Sequence, residues 1–529
     1  MVKVNHSRSQ RHRISSSELP RTQPAASKTA VAKSTSAKDA RQVDGQDSEA
    51  LARHLKLTGA SERAPSSARR VDRPGARARI DLRDWQPGQL KQTFRDDIAR
   101  SFELLKRLPP AVTFFGGARI KPDDPYYALA QEIGRQLATA GIPPRTGGGP
   151  GIMTAVPEGY KAGPSTPLPD AIAFHPLVAG FSEQASADDH RTQAFNILLP
   201  HEQKLNNVID VAEEIALFPY RKCALYENVR GLVTFPGGFG TLDELFEVWS
   251  RGARGRHRDP MAVVGSEFWR PLLGAVEQVA VEQRGLVSRD HWALMKVADR
   301  PQQILQHLAD AEGVRGFETD PDLAAEQMTR EIGQAIEVLD RLPPAVTFIG
   351  GRRLSPSAEE CRVAADAARL LTEAGVATRV GGISAVAGAV VSGARAADAG
   401  VEVQGFVVKR EDGDRQLAGV HVHLAVDELI THKELIGRRS RALVALPGGL
   451  GTLSELFSVL CQVQTGMLEK VPIVLVGKSY WQPIFDAIRQ QLLEGPRQTI
   501  AAKDLDLVTI TDDPQVIARV VADAGGRST

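Results

Sequence analysis

Two stretches of the chain place apolar residues at helical spacing and then run into short β-type segments. In "FRDDIARSFELLKRLPPAVTFFGG" the apolar residues Ile98, Phe102, Leu105 and Leu108 precede the run "AVTFF". "MTREIGQAIEVLDRLPPAVTFIGG" repeats this order later in the chain, with Leu342 at the position of Leu108. Each stretch therefore predicts an amphipathic helix followed by a strand.

The repeat extends over most of the chain and indicates an internal duplication. Gly117 matches Gly351 at a shift of 234 positions, whereas Pro236 matches Pro447 at a shift of 211. Because the shift falls from 234 to 211, the first copy holds 23 extra residues, which lie in the segment 164–192. We expect this inserted segment to cover the ligand pocket or to reshape an interface.

Strand and helix patterns alternate within each copy. In the first copy "AVTFFGG", "GLVTFPGG" and "MAVVG" predict strands, and "PYYALAQEIGRQLATAG" and "TLDELFEVWS" predict helices. We expect "IPPRTGGG" and "VATRVGGI" to end strands too, although Pro143 and Pro144 argue against a central place for the first of them. The alternation predicts an α/β fold with two tandem Rossmann-like, doubly wound parallel-sheet domains, at residues 81–315 and 316–529.

Residues 1–80 are rich in Ser, Ala, Arg, Gln and Pro and lack the apolar clusters that a fold requires, which predicts a disordered tail. Its first forty residues hold eight Lys or Arg and two acids. We interpret this basic tail first as a solvated segment, second as a tether for nucleic acid or protein, and last as a transit peptide.

The 529-residue chain has a formal net charge of +1, which gives it no overall preference for nucleic acid or an anionic membrane. Its three cysteines are widely spaced, which argues against a disulfide framework or a zinc site. The sequence also shows neither a long apolar run nor a secretory signal. We expect a cytoplasmic protein that does not bind membranes.

Two glycine-rich loops follow predicted strands in the first copy, with "TGGGPGIMTAV" starting at Thr146 and "FPGGFGTLDE" starting at Phe235. Ligands of parallel α/β sheets bind beyond the carboxyl ends of the strands. Glycine lets the free amides of a helix N-terminus approach a phosphate, and the Thr241 hydroxyl adds a donor. The two loops together predict a phosphate site. Because no Gly-x-x-x-x-Gly-Lys-Ser/Thr loop occurs, kinase and ATPase functions lose their main support.

Glu244 follows Thr241 by three residues, in the first turn of a predicted helix. A carboxylate there favours the helix dipole and can serve as a simple capping acid. Beside a phosphate site it can also hold ribose hydroxyls or stabilise positive charge at the anomeric carbon, and we favour this second interpretation. Arg221 and Lys222 begin another predicted helix in "FPYRKCAL"; on their own they would be assigned to the surface.

The motifs "FFGGAR", "TGGGPGIM", "FNILLPHEQ", "RKCAL" and "FPGGFGTLDELFE" resemble, in order and approximate spacing, those of the Lonely Guy (LOG) family, often labelled "possible lysine decarboxylase". The resemblance is strong over residues 109–285 and weaker in the second copy. It implies a phosphoribohydrolase, which cleaves the N-glycosidic bond of a nucleoside 5′-monophosphate, such as AMP or a cytokinin ribotide, to free base and ribose 5-phosphate. It implies neither a cofactor nor a metal.

By position, the resemblance makes Arg221 and Glu244 the catalytic residues. It assigns phosphate or nucleotide binding to the first copy's glycine loops and to the lysine after Arg221, namely Gly116, Gly117, Gly148, Gly149, Gly151, Lys222, Gly237, Gly238, Gly240 and Thr241. Gly117 departs from the family pattern, which usually has serine there. We therefore expect base selectivity or affinity to differ from that of other members.

The second copy keeps Glu455 at the position of Glu244 but has His432 at the position of Arg221. Histidine lacks a permanent guanidinium fork, and "VGGISAVA" replaces "TGGGPGIM". We predict one working site, in the first copy, and a degenerate second copy that is structural or senses a nucleotide. Because family members resemble homodimers packed helix to helix, we expect the second copy to replace a partner subunit as an intrachain pseudo-dimer, with further homo-oligomers possible.

The leading function is hydrolysis of a nucleoside 5′-monophosphate, preferably a purine nucleotide. The first alternative is a nucleotide-binding regulator whose first site has also lost turnover and whose second copy reports occupancy through the basic tail. The second alternative is a single-stranded DNA binder, which needs a basic groove with stacking aromatics. Aromatic residues make up 5% of the chain and its charge is near neutral, so this alternative ranks last.

Overall fold

The structure is a computed structural model that describes residues 87–164, 191–199, 205–216, 218–255, 259–310, 317, 320–409 and 416–525. The predicted tail at 1–80, most of the inserted segment 164–192 and the predicted domain boundary at 315–316 lie outside the described residues. All described residues belong to one compact unit.

The first copy forms a seven-stranded parallel sheet with the order β4-β3-β2-β1-β5-β6-β7. Its strands are β1 (Ala111–Phe115), β2 (Pro144–Thr146), β3 (Gln193–Ile197), β4 (Val211–Ile215), β5 (Val229–Thr234), β6 (Met261–Val264) and β7 (Met295–Ala298). Its helices are α1 (Pro87–Arg107), α2 (Pro125–Thr139), α3 (Ile152–Lys161), α4 (Phe218–Tyr226), α5 (Phe239–Ala253), α6 (Ser266–Val276), α7 (Arg289–Trp292) and α8 (Pro301–Asp310), with a π-helical segment at Glu277–Gln283.

The second copy forms another seven-stranded parallel sheet, with the order β11-β10-β9-β8-β12-β13-β14. Its strands are β8 (Ala345–Ile349), β9 (Ala377–Gly381), β10 (Val403–Val408), β11 (Val422–Val426), β12 (Ser440–Ala445), β13 (Ile473–Leu475) and β14 (Val508–Ile510). Its helices are α9 (Pro321–Arg341), α10 (Glu359–Glu373), α11 (Ala385–Ala396), α12 (Leu429–Gly437), α13 (Leu450–Thr465), α14 (Lys478–Ile488), α15 (Ala502–Leu505) and α16 (Pro514–Gly525), with a π-helical segment at Arg489–Leu493.

The two sheets confirm the predicted α/β fold and relate the two copies strand by strand. Strands β1 and β8 start 234 positions apart, at Ala111 and Ala345, and β5 and β12 start 211 positions apart, at Val229 and Ser440. These are the two shifts that the sequence shows. Both sheets also place the strand that precedes a glycine pair, Gly116–Gly117 or Gly350–Gly351, next to the strand that precedes the Pro-Gly-Gly loop: β1 pairs with β5, and β8 pairs with β12.

The expectation that the prolines keep β2 from a central position is wrong. Strand β2 pairs with β1 on one side and with β3 on the other. Pro144 is the first of its three residues, and proline is tolerated at the start of a strand because few ladder bonds depend on its missing N–H. The strand is short, but its carboxyl end delivers the first glycine loop to the middle of the sheet edge.

Local sequence signals explain where the helices begin and which face they bury. The Asp124 side chain accepts a hydrogen bond from the Tyr126 amide at 2.8 Å, and Pro125 opens helix α2. The chain leaves that helix through Gly141, whose φ of 68° suits glycine. In helix α1 the predicted apolar face, including Phe102, is buried.

The two copies pack against each other through helices α5 and α13, which are equivalent elements of the duplication. The rings of Phe246 and Phe457 stack with centroids 5.3 Å apart, and Phe239 lies 6.2 Å from Phe457. A single cluster of buried apolar residues includes side chains of both copies. The two copies therefore share one core within a single compact unit.

Among the described helices, none combines the length and the apolar character that crossing a bilayer would require.

Candidate active site

The three glycine segments predicted to bind the ligand meet at the carboxyl ends of β1, β2 and β5. The Gly117 amide donates to the Pro236 carbonyl oxygen at 2.9 Å, and the Ile152 amide donates to the Gly117 carbonyl oxygen at 3.3 Å. Gly151 has a φ of 68°, and a Cβ added there would lie 2.2 Å from the Gly117 oxygen. This contact requires glycine, so the loops are held together by close backbone approach.

Two helix N-termini open at this point without a capping side chain. Gly151 is the N-cap of α3 and Gly238 is the N-cap of α5. A Cβ on Gly237 would lie 2.1 Å from the Thr241 hydroxyl oxygen, so this loop lies directly over the hydroxyl. Uncapped amides and the dipoles of two helices give the edge of the sheet a positive potential that suits a phosphate.

The other predicted glycines border the same loops. Gly116 packs against Ile152, which begins α3, so a Cβ there would come within 2.8 Å of the isoleucine side chain. Gly148 has a φ of 74° and faces β3 at Asn196. The Gly149 carbonyl oxygen accepts hydrogen bonds from the Thr154 hydroxyl at 3.0 Å and from the Asn206 side-chain Nδ2 at 2.9 Å.

Arg221 lies on α4 and is buried with its guanidinium fixed at three sides. Its Nε donates to the Phe195 carbonyl oxygen at 2.9 Å, and its Nη1 lies 3.1 Å from Glu244 Oε1. A Cβ at Gly147 would lie 2.0 Å from Nη2, so glycine at that position makes room for the guanidinium. The structure thus brings both predicted catalytic residues together beside the first glycine loop.

Glu244 is buried in the second turn of α5, so the expectation that it lies in the first turn is wrong: the helix begins at Phe239, two residues before Thr241. Burial raises its pKa to about 7, and the attraction of Arg221 offsets part of this rise. A carboxyl group with a pKa near neutrality changes protonation state readily at physiological pH, which suits a group that holds or moves a proton.

Lys222 is directed elsewhere. Its Nζ donates to Asp243 Oδ1 at 2.6 Å and to the Ser458 hydroxyl of the second copy at 3.3 Å. Glu247 lies 4.0 Å from the same nitrogen. These contacts place the Lys222 ammonium in the buried contact between α5 and α13, and its nucleotide-binding role stays a prediction.

The second copy adds groups to this site that sequence reasoning missed. The Thr499 hydroxyl donates to the Gly237 carbonyl oxygen at 3.1 Å, and a Cβ on Gly238 would lie 2.7 Å from the backbone carbonyl oxygen of Thr499. A Cβ on Gly240 would lie 3.5 Å from Cys461 Sγ. These residues are more than 200 positions away, and no local pattern marks them.

Asn196 is a second omission. It is fully buried at the end of β3, and neither its Oδ1 nor its Nδ2 hydrogen-bonds to a described residue. A Cβ added to Gly148 would lie 3.5 Å from the Cβ of Asn196, so Asn196 lies beside the first glycine loop. A buried amide without partners is rare in proteins and suits a ligand's polar group. The sequence signal that could have identified Asn196 is a polar residue near the carboxyl end of a strand.

A cavity of about 1020 Å³ lies beside the first glycine loop, and its lining residues include neither Arg221 nor Glu244. Its lining includes Arg119, Gly151 and Thr154 of the first copy and Arg497 and Gln498 of the second copy. The Arg119 guanidinium donates to the Gln498 carbonyl oxygen at 3.3 Å. Both copies therefore line this cavity.

The equivalent site of the second copy has the same arrangement of strands and loops but different polar side chains. His432 Nε2 lies 3.2 Å from the Phe406 carbonyl oxygen, as Arg221 Nε lies near Phe195. Its Nδ1 lies 3.7 Å from Glu455 Oε1. At the N-terminus of α11 the Ser384 hydroxyl accepts from the Ala387 amide at 3.2 Å, so a side chain occupies this terminus.

Curated relatives match parts of the chain. A cytokinin riboside 5′-monophosphate phosphoribohydrolase of Rhodococcoides fascians is 31% identical over 96 residues, which is 18% of this chain and 47% of that protein. A probable enzyme of the same name from Oryza sativa subsp. japonica is 37% identical over 71 residues, 13% of this chain and 29% of that protein. One from Mycobacterium marinum is 33% identical over 90 residues, 17% of this chain and 47% of that protein. The chain spans less than half the length of each of these relatives.

Solved structures that are similar to part of the chain include a molybdenum cofactor binding protein from Rippkaea orientalis. It is 17% identical, with a TM-score of 0.26, and the match covers 35% of this chain and 98% of that chain. A molybdenum cofactor carrier protein from Chlamydomonas reinhardtii is 18% identical, with a TM-score of 0.27, over 34% of this chain and 99% of that chain.

The family model described as "Possible lysine decarboxylase" matches residues 179–308 and 387–521, just over half of the chain and part of each copy. This chain therefore belongs to the possible lysine decarboxylase family, the Lonely Guy (LOG) family that its motifs resemble.

Proposed function

We propose that the first copy hydrolyses the N-glycosidic bond of a nucleoside 5′-monophosphate, with a purine as the preferred base, to give free base and ribose 5-phosphate. The observation that carries the proposal is the buried pair of Arg221 and Glu244, 3.1 Å apart, beside two helix N-termini that glycine leaves uncapped. The names of the curated relatives support the same reaction class.

Each part of the site has a task in this reaction. The loops at Gly148–Gly151 and Gly237–Thr241 bind the 5′-phosphate through backbone amides and the Thr241 hydroxyl. The bond between the anomeric carbon and the base nitrogen breaks, and the ribose gains positive charge that the Glu244 carboxylate stabilises. Water adds to the anomeric carbon and leaves its hydroxyl group there; its other proton passes to Glu244 or to solvent, from which the departing base takes up one proton.

Arg221 acts beside this carboxylate. Its permanent charge stabilises either the departing base or the phosphate, and its bond to the Phe195 oxygen fixes the guanidinium plane. Asn196 is placed to hydrogen-bond the ligand. We also propose that the second copy takes the place of a partner subunit, because Thr499 and Cys461 border the first copy's loop.

The test is release of free base from AMP, GMP, CMP and isopentenyl-AMP by the full chain, followed by chromatography. Glu244→Gln should lower base release by about 10²–10⁴-fold, because it removes the ionisable carboxyl group. Glu455→Gln is the matched control, since it makes the same change at the equivalent position of the second copy. Equal losses in both variants would contradict a single working site.

The regulator alternative has a distinct signature in the same experiment. If the wild type releases no base from any of the four nucleotides yet binds one of them, a nucleotide-binding regulator replaces the enzyme.

A further inference from the structure

The second copy contains a cavity of about 190 Å³ at the carboxyl ends of its central strands. Gly351, which follows β8, Gly382, which follows β9, and Thr452 on α13 line it from the second copy. Arg254 and Leu286 line it from the first copy. It is the counterpart of the first copy's site, and both copies supply its walls.

The cavity keeps one of the two uncapped helix N-termini. Gly449 is the N-cap of α13, a sixteen-residue helix, and it offers no capping side chain. Thr452 adds its hydroxyl, as Thr241 does in the first copy. The other helix N-terminus, that of α11, is already occupied by the Ser384 side chain. An anion in this cavity therefore has its backbone donors at α13.

Three arginine residues line the cavity that this terminus borders. Arg352 and Arg353 are both exposed and line the cavity, whereas the first copy has Ala118 at the position of Arg352. Arg254, the C-cap residue of α5, reaches across from the first copy, and its Nη2 would lie 2.6 Å from a Cβ on Gly451. Guanidinium groups of this kind favour phosphate oxygens.

The inner wall presents a carboxylate and an imidazole, Glu455 and His432, with apolar side chains such as Leu286 beside them. A carboxylate accepts hydrogen bonds from sugar hydroxyls. The volume corresponds to about six water-sized volumes of ~30 Å³ each, which suits a phosphorylated pentose better than a whole dinucleotide. Without the Arg221 guanidinium, this wall lacks the charge pair of the first site.

We propose that this cavity is a second ligand site, which binds the phosphoribosyl group of a nucleotide or of ribose 5-phosphate and does not cleave it. The phosphate lies at the N-terminus of α13 among Arg254, Arg352 and Arg353, and the ribose hydroxyls face Glu455. The ligand class rests on the proposed function of the first copy, whereas the cavity and its arginines are independent of it. Because both copies line the site, ligand binding strengthens their contact.

The experiment is a calorimetric titration of the full-length Glu244→Gln chain, in which base release is expected to be strongly reduced, with AMP and separately with ribose 5-phosphate. Two molecules of either probe per chain are expected. Adding Arg353→Glu should weaken one of the two binding events by about tenfold or more, because it reverses a charge at the phosphate. Arg369→Glu, the same charge change at a partly exposed position of α10 that does not line the cavity, is the control and should leave both events in place.

The proposal is overturned by fewer than two bound molecules per Glu244→Gln chain, or by an Arg353→Glu variant that keeps both events at full affinity. Binding of a second AMP without any second ribose 5-phosphate would overturn the phosphoribosyl assignment. Base release by the wild type is measured on the same preparation. Two bound molecules without base release would contradict the proposed hydrolase function but would still support the second ligand site.

Discussion

Helices α5 and α13 are equivalent elements of the duplication, and they bury different charges where they meet. Helix α5 carries Asp243 and Glu247, whereas α13 carries Ser454 and Ser458 at the same positions. Each copy supplies one buried lysine, Lys222 or Lys433. Lys433 forms an ion pair with Glu247 of the other copy, and Lys222 pairs with Asp243 and reaches Ser458.

The difference shows how a duplicated chain can select its own second half. As it stands, the contact buries two ammonium groups and two carboxylates, so its charge is balanced. By the same geometry, two first copies would bury two lysines with four carboxylates, and two second copies would bury two lysines without a carboxylate. Unbalanced buried charge is costly, so the intrachain pair is favoured over either self-pair.

The largest expected effect comes from breaking this balance. Burial opposes ionisation of Glu247, but Lys433 and Lys222 outweigh burial and lower its pKa to about 2. Lys433→Met leaves Glu247 without its closest cation, and we expect a loss of about 3–5 kcal/mol in the free energy of unfolding. Urea unfolding followed by circular dichroism measures it.

Two further variants sharpen this comparison. Lys433→Met with Glu247→Leu should recover most of the loss, because it removes both charges. Lys91→Met, which breaks the more exposed ion pair to Glu337, should cost less than about 1 kcal/mol. A Lys433→Met loss as small as that of Lys91→Met would contradict the importance of charge balance.

The next largest effect is expected from exchanging the residues that differ between the Arg221–Glu244 pair and the His432–Glu455 pair. Arg221→His gives the first copy the side chain found in the second, and we expect base release to fall by about 10²-fold through loss of the charged fork. Histidine can still bond the Phe195 oxygen, as His432 bonds Phe406, so the unfolding free energy should change little. Chromatographic kcat/KM and urea unfolding test both points.

The reverse exchange should not create a second active site. His432→Arg restores the guanidinium, but Ile383 and Ala385 still stand where the first copy has Gly149 and Gly151. We therefore expect no base release from a His432→Arg chain that also carries Glu244→Gln. Activity in that double variant would show that the arginine alone separates the two copies.

The sequence was sufficient for the fold and for the centre of the site, because both depend on local signals. Strand-to-helix alternation predicted the two parallel sheets, and glycine loops after strands placed Gly117, Gly151 and Gly237 at one edge. The sequence did not reveal Thr499 or Cys461 at this site, since their closeness depends on how the copies pack.

The direction of the Lys222 side chain also could not be predicted from the sequence. Its neighbour Arg221 faces Glu244, but helical geometry turns consecutive side chains by about 100°, so Lys222 faces Asp243 and the second copy. The central place of β2 was also missed, because the proline rule depends on where in the strand the residue falls.

The smallest expected effect is the pH dependence of the first site. Burial raises the Glu244 pKa to about 7, well above its ordinary value of 4.5, and Arg221 holds it from rising further. If the carboxylate is the active form, kcat/KM should increase about tenfold per pH unit below pH 7 and level off above it. Arg221→His should move the inflection to higher pH, since it removes the cation that favours the charged form.

Stability gives an independent check with a definite sign. Because the folded-state pKa of Glu244 is raised, the native state favours the protonated acid, and this contribution is present below pH 4.5 and lost as pH rises through about 7. Glu244→Gln keeps a neutral side chain at every pH, so its unfolding free energy relative to wild type should increase between pH 5 and pH 8. Glu455→Gln is the matched control at the equivalent position of the second copy. A difference between Glu244→Gln and wild type that stays constant over this range would mean that Glu244 is already ionised at pH 5, and the pH profile of base release would then need another group.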